Sequence, residues 1–230
     1  MRTVVITGAG GQLGQAVVAA FAQQGDRLLL LDRDAHRLHA LYGADTPQRL
    51  SVGVDLLDTT EVAAAVAQGA ACLGAPSVLC HLAGGFDMGV PVHSTTDALL
   101  NHLLDLNLRT LLPVSAAVVP HLLAAGRGHV VTVGAQGGVR GGAHMGAYAA
   151  SKSALMRLTE SMSAELRAQG VNVNCVLPSV LDTPANRAAM PGADPSTWVG
   201  PSALADVVVF LASDQARAIH GACLPVTGLA

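Results

Sequence analysis

The stretch Thr3-Val-Val-Ile-Thr7-Gly8-Ala-Gly-Gly-Gln-Leu-Gly14, continued by Gln15 to Gln24 and closed by Gly25, decides the fold. Its β-branched run reads as a buried strand, its glycines as a tight turn, and the apolar-periodic segment before Gly25 as a helix. In that context Gly8, Gly10 and Gly14 let the backbone approach a pyrophosphate, with Thr7, Gln12 and Leu13 flanking it. The helix supplies free N–H groups and the positive end of its dipole. A tight strand-to-helix turn without a ligand is the plain alternative.

Working outward, Arg27 to Leu31 is a second strand that ends in Asp32. A carboxylate about 20 residues beyond such a turn can accept hydrogen bonds from a ribose 2′-hydroxyl and repels a 2′-phosphate. Arg33 beside it offers that phosphate a guanidinium, so the expectation is NAD(H), with NADP(H) possible. Leu50 to Val54 is a third strand closed by Asp55 and Leu56, and Thr59 to Leu73 a helix capped near Asp58. Ser77 to Leu82 is a fourth strand running into Ala83-Gly84-Gly85-Phe86, a corner small enough for a ligand to reach the backbone. A helical region from Thr96 to Ala125 carries Asn107 at its middle and is expected to bend near Pro113.

His129 to Val133 and Val171 to Val176 are further strands, separated by a helix from Ala147 to Gln169. Pro178 to Pro201 holds five prolines and reads as one long loop, a candidate substrate lid. A helix from Ser202 to Ala212 and a strand from Ala222 to Val226 finish the chain. Strand and helix alternate without repeats or linkers. The reading is a single α/β domain over residues 1–230, a doubly wound, Rossmann-type parallel sheet of about seven strands. Right-handed crossovers gather the glycine turn, Asp32, Asp55, the Ala83 corner and the Pro178 loop at the carboxyl ends of the strands.

Composition agrees with a covered parallel sheet: 51% of the 230 residues are hydrophobic, yet there are only three Phe, two Tyr and one Trp. A net charge of -3 without a Lys/Arg cluster argues against nucleic acid as a partner. The longest apolar stretch, Leu111 to Ala125, is interrupted by Pro113, Pro120 and His121, so no membrane span is expected. The first apolar run flows into a glycine turn, so no signal peptide is expected either. Nine histidines show no ligand spacing, and His36 and His39 read as surface residues, so no metal site is expected. Cys72, Cys80, Cys175 and Cys223 lack C-x-x-C spacing and read as small hydrophobes of a reducing, cytoplasmic compartment.

Gly134 to Lys152 carries the chemistry, ending in Tyr148-Ala-Ala-Ser-Lys152. At that spacing a phenol and an ammonium share a helix face, and the positive charge should lower the phenol pKa toward the range of proton transfer. An amphipathic helix with a snorkelling lysine is the bland alternative.

Taken together, these residues resemble the short-chain dehydrogenase/reductase family over essentially the whole chain. The resemblance rests on Thr7-Gly8 with Gly14, Asp32, Asp55, Ala83-Gly84, Asn107, Tyr148-x-x-x-Lys152, Asn174 with Pro178, Thr183, and the tail from Pro201 to Gly228. It implies hydride transfer with a nicotinamide cofactor and a small-molecule substrate, Tyr148 handling the proton. Lys152 would bind the nicotinamide ribose, Asn107 would hold a helix kink and a relay water, and Thr183 would meet the carboxamide. Dimers or tetramers through the two long helices are implied as well.

Three positions depart from the family pattern. Gln12 stands where a glycine is usual, His81-Leu82 replaces two asparagines, and Ala135 replaces the serine expected thirteen residues before the tyrosine. That serine donates to the substrate oxygen as charge develops, and alanine cannot; Gln136 is the adjacent candidate donor. The pattern resembles the quinonoid dihydropteridine reductase branch more closely. That branch also lacks the serine and is similar in Ala83-Gly84-Gly85-Phe86 and in Leu181-Asp182-Thr183-Pro184 through Asn186, Arg187, Met190 and Trp198. An electron-poor pterin ring accepts hydride with less need of oxyanion stabilisation. Gly85, Phe86, Gln136, Asn186 and Trp198 are therefore the candidate substrate residues. Asn107 fits the general family better. A carbonyl/alcohol oxidoreductase and a non-catalytic nucleotide-binding protein are the alternatives.

Overall fold

The computed structural model, described over residues 1–229, holds seven strands in one sheet with every neighbouring pair parallel. They are β1 (Thr3–Thr7), β2 (Arg27–Asp32), β3 (Arg49–Gly53), β4 (Val78–His81), β5 (Gly128–Val133), β6 (Val171–Pro178) and β7 (Cys223–Val226). Their order is β3-β2-β1-β4-β5-β6-β7. The winding direction reverses between β1 and β4, the point at which an open α/β sheet leaves a crevice above its strand ends.

Alternate side chains of each strand feed two cores, as the pleat requires. Val4, Ile6, Leu28 and Leu30 pack with α1 (Gln12–Gln23) and the helix Pro201–Leu211 through Val17, Phe21, Leu204 and Val208. Val5, Leu29 and Leu31 pack instead with Val62, Val66, Val114 and Val118 of the helices Thr59–Leu73 and Leu111–Ala125. In chain order the remaining helices are α2 (Ala35–Tyr42), α3 (Thr59–Leu73), α4 (Asp97–Leu104), α5 (Leu111–Ala125), α6 (Gly146–Leu166), α7 (Pro184–Ala189) and α8 (Pro201–Leu211). Asp58 accepts from the N–H groups of Thr60 and Glu61 and starts α3 where the cap signal placed it.

Three features differ from the sequence reading. The short helix α2 was not anticipated: it is mostly polar and buries only Leu38, so its apolar periodicity is faint. The long helix is interrupted at a π-helical segment, Asp105–Arg109, rather than near Pro113. Pro113 lies in the first turn of α5, where a missing N–H costs little. The Pro178–Pro201 connection is also partly ordered, with α7, a 3-10 turn at Pro195–Thr197, and a parallel bridge between Leu181 and Val199.

Candidate active site

The glycine turn sits against the exit of β4. Gly8 has φ +65°, and a Cβ there would meet the Ala83 nitrogen at 3.0 Å. At Gly14 a Cβ would lie 2.2 Å from the Gly8 carbonyl, so α1 can start tight against the turn only with glycine there. Gly11 precedes the helix, no side chain caps it, and its first turn has no acidic residue. The N-terminal amides are thereby available to an anion. Asp32 accepts from the Gly10 amide through Oδ2 at 2.8 Å, on the edge of the same crevice. The turn, the exposed helix end and this carboxylate fit a dinucleotide.

Two residues that sequence reasoning missed complete the turn. Arg37 donates from Nε to the Gly10 carbonyl at 2.8 Å, and Tyr42 donates its hydroxyl to the Ala9 carbonyl at 2.6 Å. Burial, with the Asp32 charge, pushes the Tyr42 phenol up to about 12, so it keeps its proton. The guanidinium that reaches the turn is therefore Arg37, while Arg33 is exposed at the end of β2. An Asp34 cap followed by Leu38 and Tyr42 at helical spacing was the available signal for both.

The other residues expected at the cofactor are placed less uniformly. Leu13 and Leu56 are buried in the two cores, which leaves their backbones for a ligand. Gln12 is exposed beside them. Asp55 is exposed, its carboxylate accepting from Leu57 N and its own amide donating to Glu61. The Thr7 side chain is fully buried and engaged within the protein, so it faces the β4 strand rather than the crevice. Pro178 ends β6, and Thr183 caps α7 by accepting from Asn186 N.

Around Tyr148 the expected reaction centre assembles from α6, the π segment and two strand ends. Asn107 is fully buried; its Oδ1 accepts from Gly85 N at 2.9 Å and its Nδ2 donates to Ser151 Oγ at 3.2 Å. Ser151, also missed in the sequence, donates in turn to the Tyr148 carbonyl. The wider π turn directs Asn107 inward, a common use of such bulges. Lys152 donates from Nζ to the Val133 carbonyl at 2.8 Å. Gly84 lies between them: a Cβ there would be 2.8 Å from Asn107 Oδ1 and 3.1 Å from Lys152 Nζ.

The electrostatics correct one expectation. Burial pushes the Tyr148 phenol up to about 12, and it pulls the Lys152 ammonium down to about 8, with Cys175 opposing. The phenol is not lowered here, because desolvation dominates and Nζ is directed at the end of β5. Tyr148 therefore holds its proton at neutral pH.

Of the substrate candidates, Gly85, Phe86 and Gln136 gather near this centre. The Phe86 ring meets Tyr148 edge-on at 4.8 Å while remaining 57% exposed. Ala135 is buried, and Gln136 is half-buried with no side-chain hydrogen bond among the described residues. A shallow pocket beside Tyr148 adds Met88, Leu99, His144 and Met145. Trp198 instead is buried at the base of the loop, and Asn186 uses its amide to hold the Leu181 carbonyl, so both have internal roles.

A parallel doubly wound sheet whose switch point carries a dinucleotide turn, with a buried Lys/Asn pair beside a phenol, defines a nucleotide-dependent oxidoreductase. Residues 2–193 match the family model described as short chain dehydrogenase, and the chain belongs to that family. It is 30% identical to cis-4-hydroxycyclohexanecarboxylate dehydrogenase of Sinomonas cyclohexanicum, over 99% of this chain and 95% of that one. It is 29% identical to 2-(R)-hydroxypropyl-CoM dehydrogenase of Xanthobacter autotrophicus, over 99% and 97%. Among solved structures, a short chain dehydrogenase/reductase family oxidoreductase from Burkholderia thailandensis is 36% identical, with a TM-score of 0.86 and coverage of 99% and 91%. Family membership is consistent with either NAD(H) or NADP(H).

Proposed function

We propose that the chain interconverts a hydroxyl and a carbonyl on a small, partly apolar substrate, using NAD(H) in preference to NADP(H). The observation that carries this is the convergence of Tyr148, Lys152 and Asn107 at the crevice, joined through Gly84, Gly85 and Ser151. A bound nicotinamide dinucleotide supplies the hydride. Tyr148, protonated because it is buried, donates to the substrate oxygen in the reducing direction. Lys152 holds the dinucleotide's ribose from the floor of the crevice, and Asn107 keeps the corner at Gly85 in register. Gln136 has an uncommitted amide and takes over donation to the developing oxyanion where Ala135 has no hydroxyl. Phe86 and Met88 are exposed beside Tyr148 and give the substrate an apolar approach. The relatives' names, dehydrogenases of cis-4-hydroxycyclohexanecarboxylate and of 2-(R)-hydroxypropyl-CoM, support an alcohol/carbonyl pair.

The Ala135 methyl favours a second reading, reduction of a quinonoid dihydropterin or a similar electron-poor heterocycle, which needs less oxyanion stabilisation. Steady-state assay of a panel of secondary alcohols and ketones beside quinonoid dihydropterin, with NADH and NADPH, separates the two. Turnover of the pterin alone overturns the first reading. Tight NADH binding with no turnover anywhere in the panel supports a non-catalytic nucleotide-binding protein. The family resemblance supports association of copies through the two long helices, and cysteines without C-x-x-C spacing support a reducing, cytoplasmic compartment.

A further inference from the structure

His81 ends β4 fully buried, one strand away from the glycine turn and without a place in the chemistry above. Its surroundings determine its tautomer. Thr7 Oγ1 accepts from the backbone amides of Leu82 at 3.1 Å and Ala83 at 3.2 Å, which occupies both lone pairs of the hydroxyl. The single hydroxyl proton is left for His81 Nδ1, 3.1 Å away, which must accept. A neutral imidazole then carries its proton on Nε2, which lies 3.3 Å from Thr110 Oγ1 and donates to it. Thr110 in turn donates to the Leu106 carbonyl at 3.5 Å.

Every hydrogen in this chain points the same way, from the Leu82 and Ala83 amides through Thr7, His81 and Thr110 to Leu106. Such chains polarise one another and reinforce. Leu106 belongs to the π segment that carries Asn107, and Asn107 Oδ1 binds the Gly85 amide. The corner Leu82 to Gly85 is thus tied to the π segment at two points. One tie is direct, and the other runs through a buried imidazole.

We propose that His81 is a positioning residue for the dinucleotide: as its Nε2–H tautomer it links the π segment to the Ala83-Gly84 corner and holds that corner against the glycine turn. The proposal rests on the dinucleotide reading of the crevice but on no particular substrate. Burial and the nearby Lys152 ammonium push His81 down to about 3, in keeping with an imidazole that stays neutral.

Thr110→Val keeps the volume and removes the acceptor of Nε2–H. The imidazole then reverses its tautomer, competes for the Thr7 oxygen and loosens the Leu82 and Ala83 amides. NADH affinity, read by fluorescence titration, should fall about 5- to 150-fold, the range for a buried polar group left unpaired. Thr110→Ser should restore it to within about twofold. Long-range 1H–15N spectra of the wild type should show Nε2–H and no titration between pH 5 and 8. Spectra showing Nδ1–H, titration near pH 6, or a Thr110→Val protein that binds NADH like the wild type would each overturn the proposal. If Thr110→Val does not fold, the wild-type spectra decide. If the wild type binds neither NADH nor NADPH, the dinucleotide reading fails while the tautomer is still measured.

Discussion

Replacing Lys152 by methionine should make the protein more stable while abolishing its chemistry. Lys152 is 5% exposed, and burial pulls its ammonium down to about 8 against 10.5 for a free lysine. At about 1.36 kcal/mol per pH unit, that difference is a destabilisation on the order of 3 kcal/mol wherever the folded lysine is charged. Methionine has a similar length and no charge, and it loses only the hydrogen bond to the Val133 carbonyl, about 1 kcal/mol. The net gain at pH 7 is therefore about 2 kcal/mol, or roughly 1 M in urea midpoint. Trp198, the single tryptophan and a buried one, reports the unfolding by fluorescence.

The sign with pH follows from proton binding. Between about pH 8 and 10.5 the unfolded lysine keeps a proton that the folded one has released, so wild-type stability rises with pH through that window. Below pH 8 the gap between variant and wild type is constant; it should close at about pH 9.5 and reverse by about 1 kcal/mol at about pH 10.5, where only the lost hydrogen bond remains. Turnover of the variant should fall at least about 100-fold at every pH. A Lys152→Met protein less stable than wild type at pH 7, or a gap that does not narrow toward pH 10, would refute the desolvation argument.

Gly84→Ala places a methyl 2.8 Å from Asn107 Oδ1 and 3.1 Å from Lys152 Nζ. Because both groups are anchored, kcat should drop at least about tenfold with about 1–3 kcal/mol of lost stability, checked by turnover and urea melts. Tyr148→Phe should keep the fold, the edge contact with Phe86 and NADH binding, yet lose about 100- to 10,000-fold in reduction rate. Wild-type turnover in that variant would remove Tyr148 from the mechanism. Asp32→Ala removes the carboxylate that would repel a 2′-phosphate and leaves Arg37 beside the turn, so the ratio of kcat/KM for NADPH to NADH should rise at least about tenfold.

The elements that sequence made legible are those whose signals are local. α3 begins at an Asp cap and follows an apolar period, and those two signals placed it over Thr59 to Leu73. The parallel sheet was visible because strands buried on both faces read as unbroken aliphatic runs. α2 was not, since a helix that buries one leucine has almost no periodicity to detect. The π segment had no local signal, because Asp-Leu-Asn-Leu-Arg has no breaker in it; only the family resemblance put a kink at Asn107, and proline drew the local reading to Pro113. Trp198 was misplaced for a related reason. Polar and proline-rich flanks made its loop look open, whereas the Leu181–Val199 bridge folds it back onto the domain.

The Tyr148 and Lys152 pair shows where sequence spacing stops short of chemistry. An i, i+4 spacing on α6 does place both side chains on one helix face. It says nothing of how far either is desolvated, nor of which acceptor the ammonium finds. Here Nζ reaches the end of β5, beside space left by the missing side chain of Gly84, more than sixty positions earlier in the chain. The same glycine admits Asn107 from the other side. The pKa values of this site are thus set by three segments meeting at one small residue. Burial alone holds the phenol protonated and brings the ammonium down to about 8, neither of which the four-residue spacing could indicate.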